Sequence, residues 1–307
     1  MEDSTAIKKT STFWTMKRKE ESIGWLFIIP EFIGIALLGV FPLLFTIYLS
    51  FNDWNLVGGV SSINFIGMDN YKALFQDDKF MKALTNNLFF TAVSVPVGMA
   101  IALVMAVAIH SYVKFKSYFK VAFFVPYICS TIAIAAVWSA LFHPSKGPIN
   151  QFLLSIGVSE PPMWLVDTSY ALVSIAIIAI WQLIGYQIII YLAGLTNIPE
   201  ELYESARIDG ASGFQQFYRI TLPLLGPTNF FLLITLIISS FKVFDIIKFL
   251  TQGGPNQAST VLVYRIYEEG FQNFRMGYAS AISIVLFLIV VVITSITWFT
   301  QQKNVHY

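Results

Sequence analysis

An indole, an amide and a phenol stand close together in an otherwise apolar stretch: Trp181, Gln182 and Tyr186, with Gln187 one step beyond. Gln182 and Tyr186, four residues apart, share a helix face with Ala179 and Leu183. Polar groups inside a bilayer are costly unless bonded, so they mark either a solute path or hydrogen bonds between helices. An amide and a phenol bind hydroxyls, and an aromatic plane stacks on the apolar face of a sugar ring. Both readings stay open for Gln182 and Tyr186. Catalysis has no comparable set of residues. His110, His143 and His306 fall at the ends of apolar runs or in the tail, with no metal-ligating partner at useful spacing. The glycines form no phosphate-cradling loop. No catalytic residue, no metal and no cofactor are expected on this chain.

A second polar constellation belongs in water. Asn197–Pro223 (NIPEELYESARIDGASGFQQFYRITLP) carries two arginines and four carboxylates between runs long enough to cross a bilayer. Its pattern predicts helix, tight turn, helix. Asn197 suits the first cap, Pro199 the first turn, and Glu200 and Glu201 the positive end of the helix dipole. Gly210 supplies a left-handed stop, Ser212 and Gln215 form a capping box, and Pro223 ends the second helix. The product is a structured knuckle at the membrane surface, built to touch a partner.

The rest of the chain must hold these two sets in place. Apolar residues make up 56% and charged residues 12%, with a mean hydropathy of +0.67. Soluble domains carry about 25% charge, so this is an all-α membrane protein. A net charge of +1 argues against nucleic acid as a partner. Cys129, the single cysteine, permits no internal disulfide and reads as a small core residue. Six helical spans are expected, at about 23–50, 86–110, 118–142, 171–195, 224–244 and 278–300. They form one domain (23–300) between a basic N-terminal segment (1–22) and a short tail (301–307). The first run is too long for a signal-peptide core and is expected to remain as a span.

Lys17-Arg18-Lys19 and the short loop with Lys114, Lys116 and Lys120 belong inside. Both termini and the Asn197–Pro223 loop are then cytoplasmic. The outer side is less clean, because Lys72, Lys79, Lys82, Lys248, Arg265 and Arg275 fall there beside acidic residues. Gly- and Pro-rich outer loops suggest a small platform. Lys242 and Asp245, three apart, are placed to pair on one helix. Glu31 is the most isolated intramembrane charge.

Glu204-Ser205-Ala206, Asp209-Gly210-Ala211, Phe217 and Ile220-Thr221-Leu222-Pro223 resemble the EAA loop of ATP-binding-cassette importer permeases. Ser205 replaces the usual first alanine. The resemblance extends over nearly the whole chain after residue 22 and is strongest to the sugar-importing type, including maltose and glycerol-phosphate permeases. Its further blocks include Ser50-Phe51-Asn52-Asp53-Trp54, Asp69-Asn70-Tyr71 and Gly253-Gly254-Pro255.

This resemblance implies a type I permease fold in a prokaryotic cell membrane. The implied partners are a second homologous permease, an ATPase homodimer that binds ATP and magnesium, and an extracytoplasmic solute-binding protein. A sugar or oligosaccharide would be the solute, with a glycerol-phosphate-like polyol phosphate as the alternative and an ion-coupled transporter as a more distant one. Glu204, Ser205, Ala206, Asp209 and Gly210 would form the ATPase-coupling surface, while Arg207 and Asp209 alternatively brace the loop against the chain's own body. Gap-free alignment through this loop adds Ser239, Ser240 and Val243 to Trp181, Gln182 and Tyr186 as solute-site candidates. Helix packing is the competing role for the two serines.

Overall fold

The computed structural model describes residues 11–302; the first ten residues, and the tail from 303 with His306, lie outside the described residues. A helix runs through α1 (Ser11–Ile35), one wide π turn (Ala36–Val40) and α2 (Phe41–Ser50). The hairpin of β1 (Asn52–Asp53) and β2 (Asn64–Phe65), antiparallel, and α3 (Asp69–Phe75) lead into the long α4 (Asp78–Tyr112). Then come α5 (Lys116–Ile128), α6 (Thr131–Leu141), α7 (Pro148–Ser155) and α8 (Ala171–Thr196). The knuckle holds α9 (Glu200–Ile208), α10 (Gly213–Gln216), a π turn (Phe217–Thr221) and α11 (Leu222–Leu224). The chain closes with α12 (Gly226–Phe241), α13 (Asp245–Leu250), α14 (Leu262–Tyr267), a π turn (Glu268–Gln272) and α15 (Met276–Gln302).

Among the described residues, five helical stretches are long and apolar enough to span a bilayer, and a bent pair makes a sixth only if counted as one span. That pair is the third expected run. α5 and α6 meet at 96° because Cys129 and Ser130 leave the helix, with ψ of 147° and 129°. Pro126 weakens the turn before the break by removing an N–H and crowding the carbonyl of Ala122. Cys129 is exposed there and is not a core residue.

The second span starts eight residues before the expected Asn86, because Asp77 caps α4 by accepting from the Lys79 N–H at 2.9 Å. At 35 residues, α4 is about 50 Å long and overshoots a hydrocarbon core of about 30 Å. The fifth expected span is one apolar stretch, Gly226–Leu250, with its helix interrupted near the expected end. α12 stops at Phe241, and Asp245 opens α13 after non-helical Lys242 and Phe244. Lys242 and Asp245 therefore do not share one helix; both are exposed, and no ion pair joins them.

The bundle is organised on α4 and α8. Gly98, Ala102 and Ala106 of α4 are small and buried, which lets Ile188, Tyr191 and Leu192 of α8 approach closely. On the other side of α8, a Cβ at Gly185 would fall 1.8 Å from the Phe123 carbonyl oxygen of α5. Leu232, Leu236 and Phe241 of α12 complete this core. The first helix stands apart. α2 packs on α15 and buries Leu49 and Ser50, but nearly every described side chain from Ile23 to Tyr48 is exposed, Glu31 included.

At the end of α4 remote from the knuckle, an ion cluster ties three helices together. The buried Arg265 guanidinium of α14 reaches Glu269 at 2.7 Å, Asp77 at 3.2 Å and Glu268. Arg275 adds a contact to Glu269 at 3.3 Å, and the Tyr278 hydroxyl of α15 donates to Asp77 at 2.8 Å. Lys72 pairs with Asp69 at the surface. Three of the cations that blur the charge asymmetry of the sequence are thus neutralised locally.

Candidate solute cavity and coupling surface

A cavity of about 50 Å³ lies where α4, α8 and α12 meet. Phe90, Leu183 and Leu236 give it apolar walls, and Ser94, Gln187, Ser239 and Ser240 bring polar groups to it from all three helices. Few convergent polar groups in an apolar hollow are the usual make-up of a small-molecule site. Ser240 is already committed: its hydroxyl donates to the Ile237 carbonyl at 2.8 Å and lies 2.8 Å from Thr91 Oγ1. Gln187 is the opposite case. It is 2% exposed, and its Oε1 has no hydrogen-bond partner.

Of the six candidates named from sequence, Ser239, Ser240 and Val243 line this cavity together. Trp181, Gln182 and Tyr186 do not. Gln182 Nε2 donates to Thr131 Oγ1 of α6 at 3.1 Å. Tyr186 stacks on Tyr127 of α5 at 5.1 Å between ring centres. Trp181 sets an edge against Trp138 at 5.6 Å and lines a separate, almost wholly apolar hollow of about 410 Å³. These three side chains hold the bent α5–α6 pair against α8. The face that reaches the cavity runs through Ala179, Leu183 and Gln187. Its four-residue spacing is legible in the sequence, but the more polar Gln182–Tyr186 pair, one residue away, is the stronger signal there.

The knuckle keeps most of its expected grammar. Gly210 has φ +76°, and the Ala211 N–H returns to the Ala206 carbonyl at 2.8 Å, closing α9. Ser212 and Gln215 form the capping box, with bonds of 2.7 and 3.3 Å. Two expectations fail. Asn197 ends α8, leaving Pro199 as the first residue flanking α9. Pro223 does not stop the chain's helix: the π turn before it shifts bonding to i→i−5, with Leu222 N–H on Phe217 O, and the break comes at Leu225.

The Tyr203 hydroxyl lies 2.9 Å from Thr221 Oγ1, so α9 is tied to the segment that re-enters the bundle. Gln216 Nε2 adds a bond to the Ala211 carbonyl at 2.9 Å. Outward, the knuckle presents Ile208 (87% exposed), Phe214 (77%) and Tyr218 (63%). Glu204, Ser205, Arg207 and Asp209 are exposed and make no side-chain hydrogen bond or ion pair; Ala206 is half-buried. Arg207 and Asp209 therefore do not brace the loop against the body.

A rigid polar loop between two spans, with its apolar residues turned outward, sits on a helical membrane bundle. A sequence profile described as "Binding-protein-dependent transport system inner membrane component" matches residues 94–303. The chain belongs to this family of ABC transporter permeases. The permease is 36% identical over 276 residues to the probable ABC transporter permease protein PH1215 of Pyrococcus horikoshii, covering 89% of this chain and 94% of that one. It is 32% identical over 286 residues to the sn-glycerol-3-phosphate transport system permease protein UgpA of Agrobacterium fabrum, covering 93% and 96%. Among solved structures, its fold matches a bacterial ABC transporter involved in import of the acidic polysaccharide alginate, with TM-score 0.82, 24% identity and 96% of this chain and 100% of that chain covered. A second match is to the bacterial alginate ABC transporter in complex with alginate pentasaccharide-bound periplasmic protein, with TM-score 0.80, 25% identity and 92% and 94% covered.

Proposed function

We propose that this permease is one of two membrane subunits of an ATP-driven importer for a sugar or oligosaccharide. The Asn197–Pro223 knuckle is its handle for the motor. A cytoplasmic ATPase dimer, which alone binds ATP and magnesium, grips this loop and its counterpart on a second, homologous permease. Glu204 accepts charge-assisted bonds in the ATPase groove. Ser205 and Ala206 allow close approach, while Asp209 and Gly210 shape the turn. The observation that carries the reading is the outward display of Ile208, Phe214 and Tyr218 on a hydrogen-bonded loop: three large apolar groups left in water at the end of a bundle mark a protein-binding face.

The second permease lies beside this chain, and the uncovered apolar flank of α1 and α2 is the surface available to it and to lipid. Both termini are cytoplasmic, following the basic N-terminal segment and the Lys114–Lys120 loop. An extracytoplasmic binding protein delivers the solute at the opposite end, near the Arg265 cluster. Nucleotide binding draws the two knuckles together and opens the pathway outward; hydrolysis resets it, by rigid rocking of helices around the cavity. The solute class rests on the transport permeases this chain resembles and on the hydroxyl-bearing cavity. A polyol phosphate remains the second reading, because UgpA is named for one.

The test is reconstitution with the ATPase, the second permease and the solute-loaded binding protein. Uptake must require ATP and be lost in Glu204→Ala with the permease still in the membrane. Uphill transport by this chain alone on an ion gradient would refute the reading.

A further inference from the structure

The Gln187 amide is one of three buried side-chain groups, among the described residues, with an atom that has no hydrogen-bond partner; the others are on Arg265 and Thr294. Gln187 is only 2% exposed and its Oε1 is unbonded, and it is among the residues that line the cavity between α4, α8 and α12. A buried acceptor without a donor destabilises the fold, whereas an apolar side chain of the same shape in its place would not. Two further groups on the same cavity are open. Neither Ser94 of α4 nor Ser239 of α12 makes a side-chain hydrogen bond. The buried Gln187 amide, the half-buried Ser94 hydroxyl and the exposed Ser239 hydroxyl, on three helices, thus line one cavity, and Oε1 of Gln187 and both hydroxyls lack protein partners.

The charge of the lining is as informative as its polarity. None of the residues around the cavity is charged. Lys242, next in sequence to Val243, is exposed at the end of α12 and does not line it. An anionic solute brought into an uncharged, largely apolar hollow has to shed water without meeting a cation, and that is far more costly than moving a hydroxyl to an amide. Amide and hydroxyl groups supply both donors and acceptors, which is what a neutral polyol presents. The present volume holds one or two waters, at about 30 Å³ each, and no sugar ring. The hollow must therefore widen as the solute enters.

We propose that Gln187 is the solute-contact residue that sets specificity. Its amide hydrogen-bonds a hydroxyl of a neutral sugar, with Ser94 and Ser239 binding further hydroxyls, and the uncharged cavity selects against phosphate and uronate solutes. The proposal rests on the importer reading above. It separates this chain from the glycerol-phosphate permeases and the alginate importer, whose named solutes are anionic.

The experiment uses the full importer in cells, with radiolabelled maltotriose, raffinose, glycerol 3-phosphate and an alginate trisaccharide as probes. Wild-type uptake of a neutral probe is expected. Gln187→Leu should raise its KM at least tenfold, about 1.4 kcal/mol of lost binding, and Ser94→Ala should raise it several-fold. The purified Gln187→Leu chain should melt no lower than wild type, because the leucine removes an unbonded buried amide. An unchanged KM in Gln187→Leu overturns the proposal, as does preferred uptake of either anionic probe. A lower melting temperature with unchanged KM would assign the amide to packing and also overturns it. Uptake that persists without ATP would count against the importer reading and not against the role of Gln187.

Discussion

Gln187 of α8 and Gly98 of α4 face each other so closely that a Cβ at residue 98 would stand 3.2 Å from Gln187 Nε2 and 3.4 Å from its Oε1. The amide keeps its place because the opposite helix offers it no side chain. Gly98→Ala should push the amide by a few tenths of an ångström and raise the solute KM modestly, about two- to fivefold. Gly98→Val should raise it further. Combined with Gln187→Leu, either change should add less than it does alone, since both act through one group. Uptake kinetics of the single and double variants decide this.

At the other end of α8, Ile208 and Phe214 of the knuckle are exposed, so their side chains have little internal packing to lose. Ile208→Asp and Phe214→Asp should leave the melting temperature of the isolated permease within about 1 °C, as surface changes usually do. Co-purification of the ATPase should fall at least tenfold. Retention of the ATPase by both variants would remove the loop's outer face from the coupling contact.

The α5–α8 crossing makes a contrasting stability prediction. At Gly185 an added methyl meets the Phe123 carbonyl at 1.8 Å, whereas at Gly213 nothing lies within 4 Å. Gly185→Ala should destabilise the fold by about 2 kcal/mol or more, since backbone must move to relieve the clash. Gly213→Ala should be close to neutral. Thermal melts of the two purified variants, side by side, provide the measurement.

Arg265 should show the behaviour of a buried cation with one fully buried partner, Glu269, and two partly exposed ones, Asp77 and Glu268. Its side chain is 5% exposed and that of Glu269 is 2% exposed. Arg265→Leu should cost about 3–5 kcal/mol by leaving carboxylates unpaired. Adding Glu269→Leu should recover part of the loss. Denaturation of single and double variants tests the coupling.

The same cluster predicts an acid limit. Burial pushes the Asp77 carboxyl up, but hydrogen bonds from Tyr278, the Lys79 N–H and Arg265, with the Arg265 charge, outweigh it and hold the group below its ordinary value of 3.8. A carboxyl lowered by folding adds stability that is fully present above its unfolded pKa and lost as pH falls through the folded one. The melting temperature should therefore hold from pH 7 to about pH 5 and fall below pH 4. Asp77→Asn should flatten part of that fall. A melt series in detergent across this range would show it.

Local rules make some features of this permease readable in its residue order. The Ser212–Gln215 capping box and the Gly210 turn depend on neighbours within four residues, so chain order alone specifies them. Long apolar runs announce membrane helices for the same reason: their hydrogen bonds close within the segment and their surface is uniformly oily. The EAA-like loop is legible because its polar residues interrupt such runs. Other features depend on which helix stands beside which. Pro126 hints at the break at Cys129–Ser130, but the 96° angle between α5 and α6 and the separation of Lys242 from Asp245 are seen only in the folded chain. The solute face is the clearest instance. Gln182 and Gln187 look alike in the chain, yet one finds Thr131 across a helix contact and the other is left unbonded at a cavity. A helix turns about 100° per residue, so its neighbours, which only the tertiary structure supplies, decide which amide faces the solute.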